Sequence, residues 1–193
     1  GELIYVDNAQ NQQKRLGHLS PVILPGGERA VLEPWRTAQS YLYALNIKNP
    51  NNRKWPWLDK HAPAADVVMQ IIEKNINSPL SSSCGRLFDA VSALLGLCLN
   101  LEYEGQAAIC LENIQDFSEN KAYTCPVYKD KGEFILDNLV LFHQVFKDFD
   151  QNISAQKISR RFHLGLSRGL AELACQAARE TKINNVALSG GVL

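Results

Sequence analysis

The block Ser82-Ser83-Cys84-Gly85-Arg86-Leu87-Phe88-Asp89-Ala90-Val91 sets a carboxylate one helical turn after a glycine. At 100° per residue, Leu87, Val91, Leu94, Leu95 and Cys98 fall on one side of a helix that Ser82 or Ser83 would cap, and Gly85, Asp89, Ser92 and Ala93 on the other. Asp89 then stands beside a patch with no side chain, where a ribose could lie and give its hydroxyls to the carboxylate. The same spacing also fits a simple pair between Asp89 and Arg86 at i, i−3 on a solvated face. A second feature lies at the end of the chain, where the apolar run Asn185-Val186-Ala187-Leu188 meets Ser189-Gly190-Gly191. A double glycine after a strand can bring backbone amides up to phosphate oxygens, or can simply turn the chain. Tyr103-Glu104-Gly105-Gln106-Ala107-Ala108 opens a helix with an acid near its N-terminus, which the helix dipole alone would favour.

Other chemistries find less support. His18, His61, His143 and His163 share no metal-ligand spacing, and there is no P-loop, Gly-x-Ser-x-Gly or Gly-x-Gly-x-x-Gly. The five cysteines are scattered and never spaced Cys-x-x-Cys, so the expectation is a reduced, cytoplasmic chain with buried thiols. A formal net charge of +0 with acids and bases interspersed argues against a nucleic-acid surface. No apolar run approaches the roughly 20 residues of a membrane span.

The elements that must position these residues read as helix-rich α/β. Strands are expected at Leu3–Val6, at Arg15–Leu24 broken by Gly17 and Pro21, at Tyr123–Tyr128, at Phe134–Leu136 and, buried, at Asn185–Leu188. Helices are expected from Glu33 to Leu45, Ala64 to Ile76, Cys84 to Cys98, Gly105 to Ile114, Asn138 to Phe149, and from a Ser154 cap through Glu180. Asn49 to Pro63 reads as a surface loop whose Trp55 and Trp57 fold back onto the helices. A closing helix–strand–glycine unit is typical of α/β nucleotide-binding folds. The chain starts at Gly1 and stops directly after the glycine loop, which reads as an excerpt of a larger protein.

Several blocks together resemble one family. Leu24-Pro25-Gly26-Gly27-Glu28-Arg29-Ala30, Glu33-Pro34-Trp35-Arg36, the Ser82–Val91 block, Tyr103–Ala108, Phe162-His163 and Leu188-Ser189-Gly190-Gly191-Val192 stand in the order they have in HypF, the carbamoyltransferase family of [NiFe]-hydrogenase maturation. The resemblance runs along essentially the whole chain and implies that residues 1–193 are part of the C-terminal carbamoyl-transfer domain, truncated at both ends. That domain is similar to the tRNA threonylcarbamoyltransferases and has an actin/hexokinase-like (ribonuclease H-like) ATPase fold. It implies that carbamoyl phosphate and ATP become carbamoyl-adenylate elsewhere in the full protein. This domain would then pass the carbamoyl group to the C-terminal cysteine of HypE, which dehydrates it to the iron's cyanide ligand. Carried over, Asp89 matches the ribose-binding carboxylate, beside Gly85. Gly105 and Gln106 lie at a second nucleotide-binding turn, at longer spacing from Asp89, and Gly190 and Gly191 match a phosphate-side double glycine. The family's divalent metal is held by residues outside this chain, so the chain alone would hold at most half an active site and be inactive.

Two other readings remain open at this level. A relative could carbamoylate a small-molecule hydroxyl, or the chain could be a non-catalytic module that docks a partner through Trp55 and Trp57. Neutral substitution at Asp89 with intact partner binding would favour the module.

Overall fold

A computed structural model describes residues 1–48 and 54–190. Two hairpins and one parallel contact build the main sheet. β1 (Glu2–Asp7) pairs antiparallel with β2 (Gln12–Leu19). Their connection is held by the Asp7 carboxylate, which accepts from the amides of Ala9 at 2.9 Å and Gln10 at 3.1 Å. β2 continues through Gly17, because a Cβ there would lie 2.5 Å from the Phe134 carbonyl oxygen of the neighbouring strand. The expected break at Gly17 is therefore absent, and the strand ends before Pro21. The next two residues form a separate short strand, β3 (Val22–Ile23), paired with β4 (Leu80–Ser81).

β5 (Val127–Asp130) and β6 (Glu133–Leu136) form the second hairpin, turned by Lys131 and Gly132 at φ 47° and 88°. β6 lies parallel to β2, so the sheet order is β1-β2-β6-β5. β5 starts later than the sequence suggests. Tyr123 and Thr124 spend their amides on the Arg161 carbonyl and the Gln144 side chain, and Pro126 has no amide to donate.

The helices are α1 (Glu28–Leu32), α2 (Pro34–Ala44), α3 (Leu58–Glu73), α4 (Cys84–Leu94), α5 (Gln106–Asn113), α6 (Asn138–Asp150) and α7 (Ala155–Thr181). α3 begins before Ala64 and bends at His61, whose φ of −127° is not helical, two residues before Pro63. Upstream of it Trp55 and Trp57 stack on each other at 5.4 Å, and Trp55 packs on Phe146 and Phe149. Both indoles are buried, as their folding back required. They are core residues, which removes them as the docking surface of a partner-binding module. Residues 49–53 of the expected loop lie outside the described residues.

α4 is the central helix. Every residue from Leu87 to Leu94 is buried, because α2, α5 and α6 all pack against it. The expectation of one apolar and one bare face is overturned. A helix surrounded by others buries its polar positions as well. It stops at Leu94, short of Cys98, because Gly96 at φ 74° lets the Leu97 amide turn back to the Ser92 carbonyl at 2.9 Å. Ser83 sits at its N-cap position without a side-chain cap bond, and so does Ser154 on α7.

α7 lays Ile158, Phe162, Leu166, Leu173 and Ala177 against the core. Gly165 lets it come close: a Cβ there would lie 2.6 Å from the Tyr123 carbonyl oxygen. After α7 the described residues form no strand. Residues 183–190 are exposed, Leu188 at 76 %, so the buried strand Asn185–Leu188 is not formed. An apolar run becomes a strand only where a neighbour offers a ladder, and no described strand pairs with it.

The thiols divide. Cys98 and Cys125 are buried, Cys84 and Cys110 half-buried and Cys175 exposed, and none is disulfide-bonded.

Candidate functional site

A cavity of about 820 Å³ opens between β1, the N-terminus of α4, the turn before α5, the C-terminal half of α7 and the segment 183–190. It brings together Gly85, Asp89, Gly105 and Gly190, which lie up to 105 residues apart in sequence. Gly105 is the N-cap of α5 at φ +81°, and Gly190 has φ +131°. These left-handed conformations suit glycine, and a Cβ at either position would meet no atom of the described residues within 4 Å. The backbone there is open to a ligand.

Gln106 does not line the cavity. Its side-chain oxygen accepts from the Glu102 amide at 2.7 Å and so shapes the turn that presents Gly105. Gly191 lies outside the described residues.

Asp89 is only 4 % exposed. Its Oδ2 stands 2.8 Å from Arg86 Nε, so the i, i−3 pair exists, but as a buried pair and not on a solvated face. The two atoms are close without being aligned for a hydrogen bond, and both are buried with no hydrogen-bond partner among the described residues. Burial pushes the Asp89 carboxyl up to about 6, against the opposing pull of Arg86. Unmet acceptor capacity on a buried carboxylate, at the wall of a cavity, suits a ligand hydroxyl.

Other groups complete the setting. Cys84, the first residue of α4, also lines the cavity, and burial raises its thiol above the ordinary range. Tyr41 on α2 is fully buried, accepts from Asn138 Nδ2 at 2.6 Å and feels the Asp89 charge. His163 lies outside this site, its ring bonded to the Ser159 carbonyl at 2.8 Å and packed edge-on to Phe88 and Phe162. Among the described residues no three His, Cys, Asp or Glu side chains gather where they could hold a metal. Sequence reasoning missed the α7 wall, though its small residues Ala174, Ala177 and Ala178 were visible as a face that leaves room.

The whole chain resembles known proteins with the same architecture. Residues 1–193 match the family profile described as the carbamoyltransferase Kae1-like domain, second subdomain. A carbamoyltransferase HypF homolog of Cupriavidus necator is 35% identical over 99% of this chain and 49% of its own length. HypF of Rhizobium leguminosarum bv. viciae is 30% identical over 100% of this chain and 24% of its own. A crystal structure of full-length HypF in its phosphate- and nucleotide-bound form superposes with a TM-score of 0.86 at 30% identity, covering 98% of this chain and 24% of that one. The chain thus spans about half or less of these relatives. The α/β fold is the Kae1-like one, and with a family match over its whole length the chain belongs to the HypF carbamoyltransferase family.

Proposed function

We propose that residues 1–193 are part of a carbamoyl-transfer domain that holds carbamoyl-adenylate while its carbamoyl group passes to a protein thiol. The observation that carries this reading is the cavity itself, where a buried carboxylate with unmet hydrogen-bonding capacity faces two open glycine turns. Asp89 accepts from the ribose hydroxyls, with the nucleoside lying along Gly85. Gly105, held by Gln106, gives the nucleotide backbone contact on one side. Gly190 directs its amide at the phosphate. The relative solved with phosphate and nucleotide bound supports a nucleotide as the occupant.

The chemistry asked of these residues is positioning. The acceptor cysteine, having given its proton to solvent, attacks the carbamoyl carbon as a thiolate, a C–S bond forms, the C–O bond to the phosphate breaks, and AMP leaves with the electron pair. The adenylate is already activated, so holding the donor and screening the phosphate charge supply most of what the domain contributes. The acceptor is the C-terminal cysteine of HypE, on the route to the cyanide ligand of [NiFe]-hydrogenase. Carbamoyl phosphate and ATP are the ultimate substrates, and the reaction takes place in the cytoplasm. Among the described residues no helix is long and apolar enough to cross a membrane. The divalent metal expected of the family would be held by residues beyond this chain.

The test follows labelled carbamoyl from carbamoyl phosphate and ATP to the HypE thiol, with the full-length protein and its Asp89→Ala variant. The variant should still make the adenylate, seen as carbamoyl phosphate-dependent pyrophosphate exchange, and lose most transfer. Normal transfer by the variant would remove Asp89 from the pocket. A native protein that labels no thiol would overturn the acceptor, in favour of a small-molecule hydroxyl.

A further inference from the structure

The Arg86–Asp89 pair has a geometry that neither a structural ion pair nor an idle surface pair explains. A structural pair in a protein interior earns its place with aligned hydrogen bonds, since charge attraction alone does not offset the desolvation of two ions. Here the atoms lie 2.8 Å apart, both buried, and neither has a hydrogen-bond partner among the described residues. Both residues line the cavity.

The groups that face Asp89 make Arg86 hard to replace. From α2 comes Tyr41, a phenol that can only be neutral or negative. From beyond the end of α4 comes Cys98, of which the same is true. The turn before α5 places Glu104 on the cavity wall, another acid. Among the described residues Arg86 is the one cation in electrostatic contact with Asp89. Without it, a carboxyl buried beside a phenol and a thiol would take up a proton at neutral pH. A protonated carboxyl loses one acceptor face and cannot receive both hydroxyls of a vicinal diol as charge-assisted bonds.

We propose that Arg86 is the positioning residue of the site: through its Nε it keeps Asp89 charged and turned toward the cavity, so that the carboxylate can accept the two hydroxyls of a nucleoside ribose. The inference rests on the reading of Asp89 as the ribose acceptor, and its test separates the two.

The experiment uses the full-length protein with adenosine as probe, because adenosine carries no group that titrates between about pH 5 and 8, whereas a nucleotide phosphate does. Binding at this cavity is read on Cys84, which lines it, as the adenosine concentration that half-protects that thiol from N-ethylmaleimide, resolved by peptide mass spectrometry. In the native protein the half-protecting concentration should fall about tenfold from pH 5 to 7 as Asp89 ionises. 2′,3′-Dideoxyadenosine should protect weakly and without that pH dependence. In Arg86→Gln the midpoint of the pH profile should move up by about one unit or more, and Arg86→Lys should restore it to within about half a unit.

If adenosine and its dideoxy analogue protect alike, the ribose reading of Asp89 fails and the proposal fails with it. If the diol and the pH dependence matter but the Arg86→Gln midpoint stays in place, only the role given to Arg86 is overturned. Loss of protection at every pH in both Arg86 variants would make Arg86 a direct ligand or a fold determinant, and would also overturn it.

Discussion

Two arginine–carboxylate clusters in this molecule use the same residue types to opposite ends. Between α6, α7 and the 116–126 segment, Arg161 reaches Asp148 Oδ2 at 2.6 Å and Glu119 Oε2 through two nitrogens at 2.5 and 2.9 Å. Asp148 also accepts from the Tyr123 hydroxyl at 2.6 Å, and Glu119 from the Lys121 amide at 2.8 Å. That amide, then Arg161, holds the Glu119 carboxyl below its ordinary range. All three guanidinium nitrogens and both Glu119 oxygens are used, and the cluster ties a loop to two helices. At the cavity, Arg86 and Asp89 are as close but unaligned, and the carboxyl is pushed up to about 6. An ion pair by itself therefore says little about function. The informative difference is hydrogen-bonding capacity left over in residues that line a cavity.

Substitutions at the two clusters should separate along that line. The largest effect is expected at the cavity, where Asp89→Asn keeps the shape and removes the charge. Two charge-assisted hydrogen bonds weakened together should lower carbamoyl transfer by roughly 10²–10³-fold, with the adenylate-forming exchange unchanged. Equal loss of both activities would mean that Asp89 supports the whole protein rather than the pocket.

Next comes the tied loop. Gly165→Ala forces a methyl against the Tyr123 carbonyl and should cost about 1–3 kcal/mol in denaturant unfolding. Arg161→Ala should lower Tm by several degrees, since it strands two acids at once. In both variants the transfer rate of the remaining folded protein should stay near native. A specific loss of transfer at unchanged stability would erase the contrast between the clusters.

A pH titration of stability sharpens the same contrast. The folded value of Asp89, about 6, lies above the ordinary 3.8, so the folded state holds its proton longer than the unfolded one. Its stabilising contribution is present below about pH 4 and is lost as pH rises through about 6, amounting to about 3 kcal/mol. Asp89→Asn should flatten that part of the curve in the ligand-free protein. An unchanged curve would mean that the carboxyl titrates normally. The smallest effect is expected at Arg15, which bridges Glu2 and Glu133 in the open at 3.1 Å each. Arg15→Ala should move Tm by no more than about 2 °C, because solvent screens the pairs.

Much of the architecture was legible because its causes are local. The 3.6-residue stripe of α7, the break at Asn77-Ser78-Pro79 and the Lys131-Gly132 turn each follow from a few neighbouring residues. The failures share a different cause. Tyr123 to Pro126 reads as strand, yet the Tyr123 and Thr124 amides go to α7 and α6. Asn185–Leu188 reads as buried strand, yet no described strand pairs with it. α4 reads as two-faced, yet three helices enclose it. At the site, Gly85, Asp89, Gly105 and Gly190 were legible as types that suit a nucleotide, and they share one cavity. Gln106 turned inward to its own loop, and Arg86 was visible only as a partner at i, i−3.

The sequence by itself determined the kinds of element, the α/β class, the motif order that marks the family, and an acid one turn from a glycine. It could do so because helical period, turn chemistry and spacing act over a few residues. Only the tertiary structure decided that Asp89 is buried, that Arg86 meets it without aligning, and that glycines 85, 105 and 190 border one space. Burial and alignment depend on which distant helices pack around α4, and no local pattern encodes that. The chemistry of a carboxylate follows from its surroundings, and those are assembled from the whole chain.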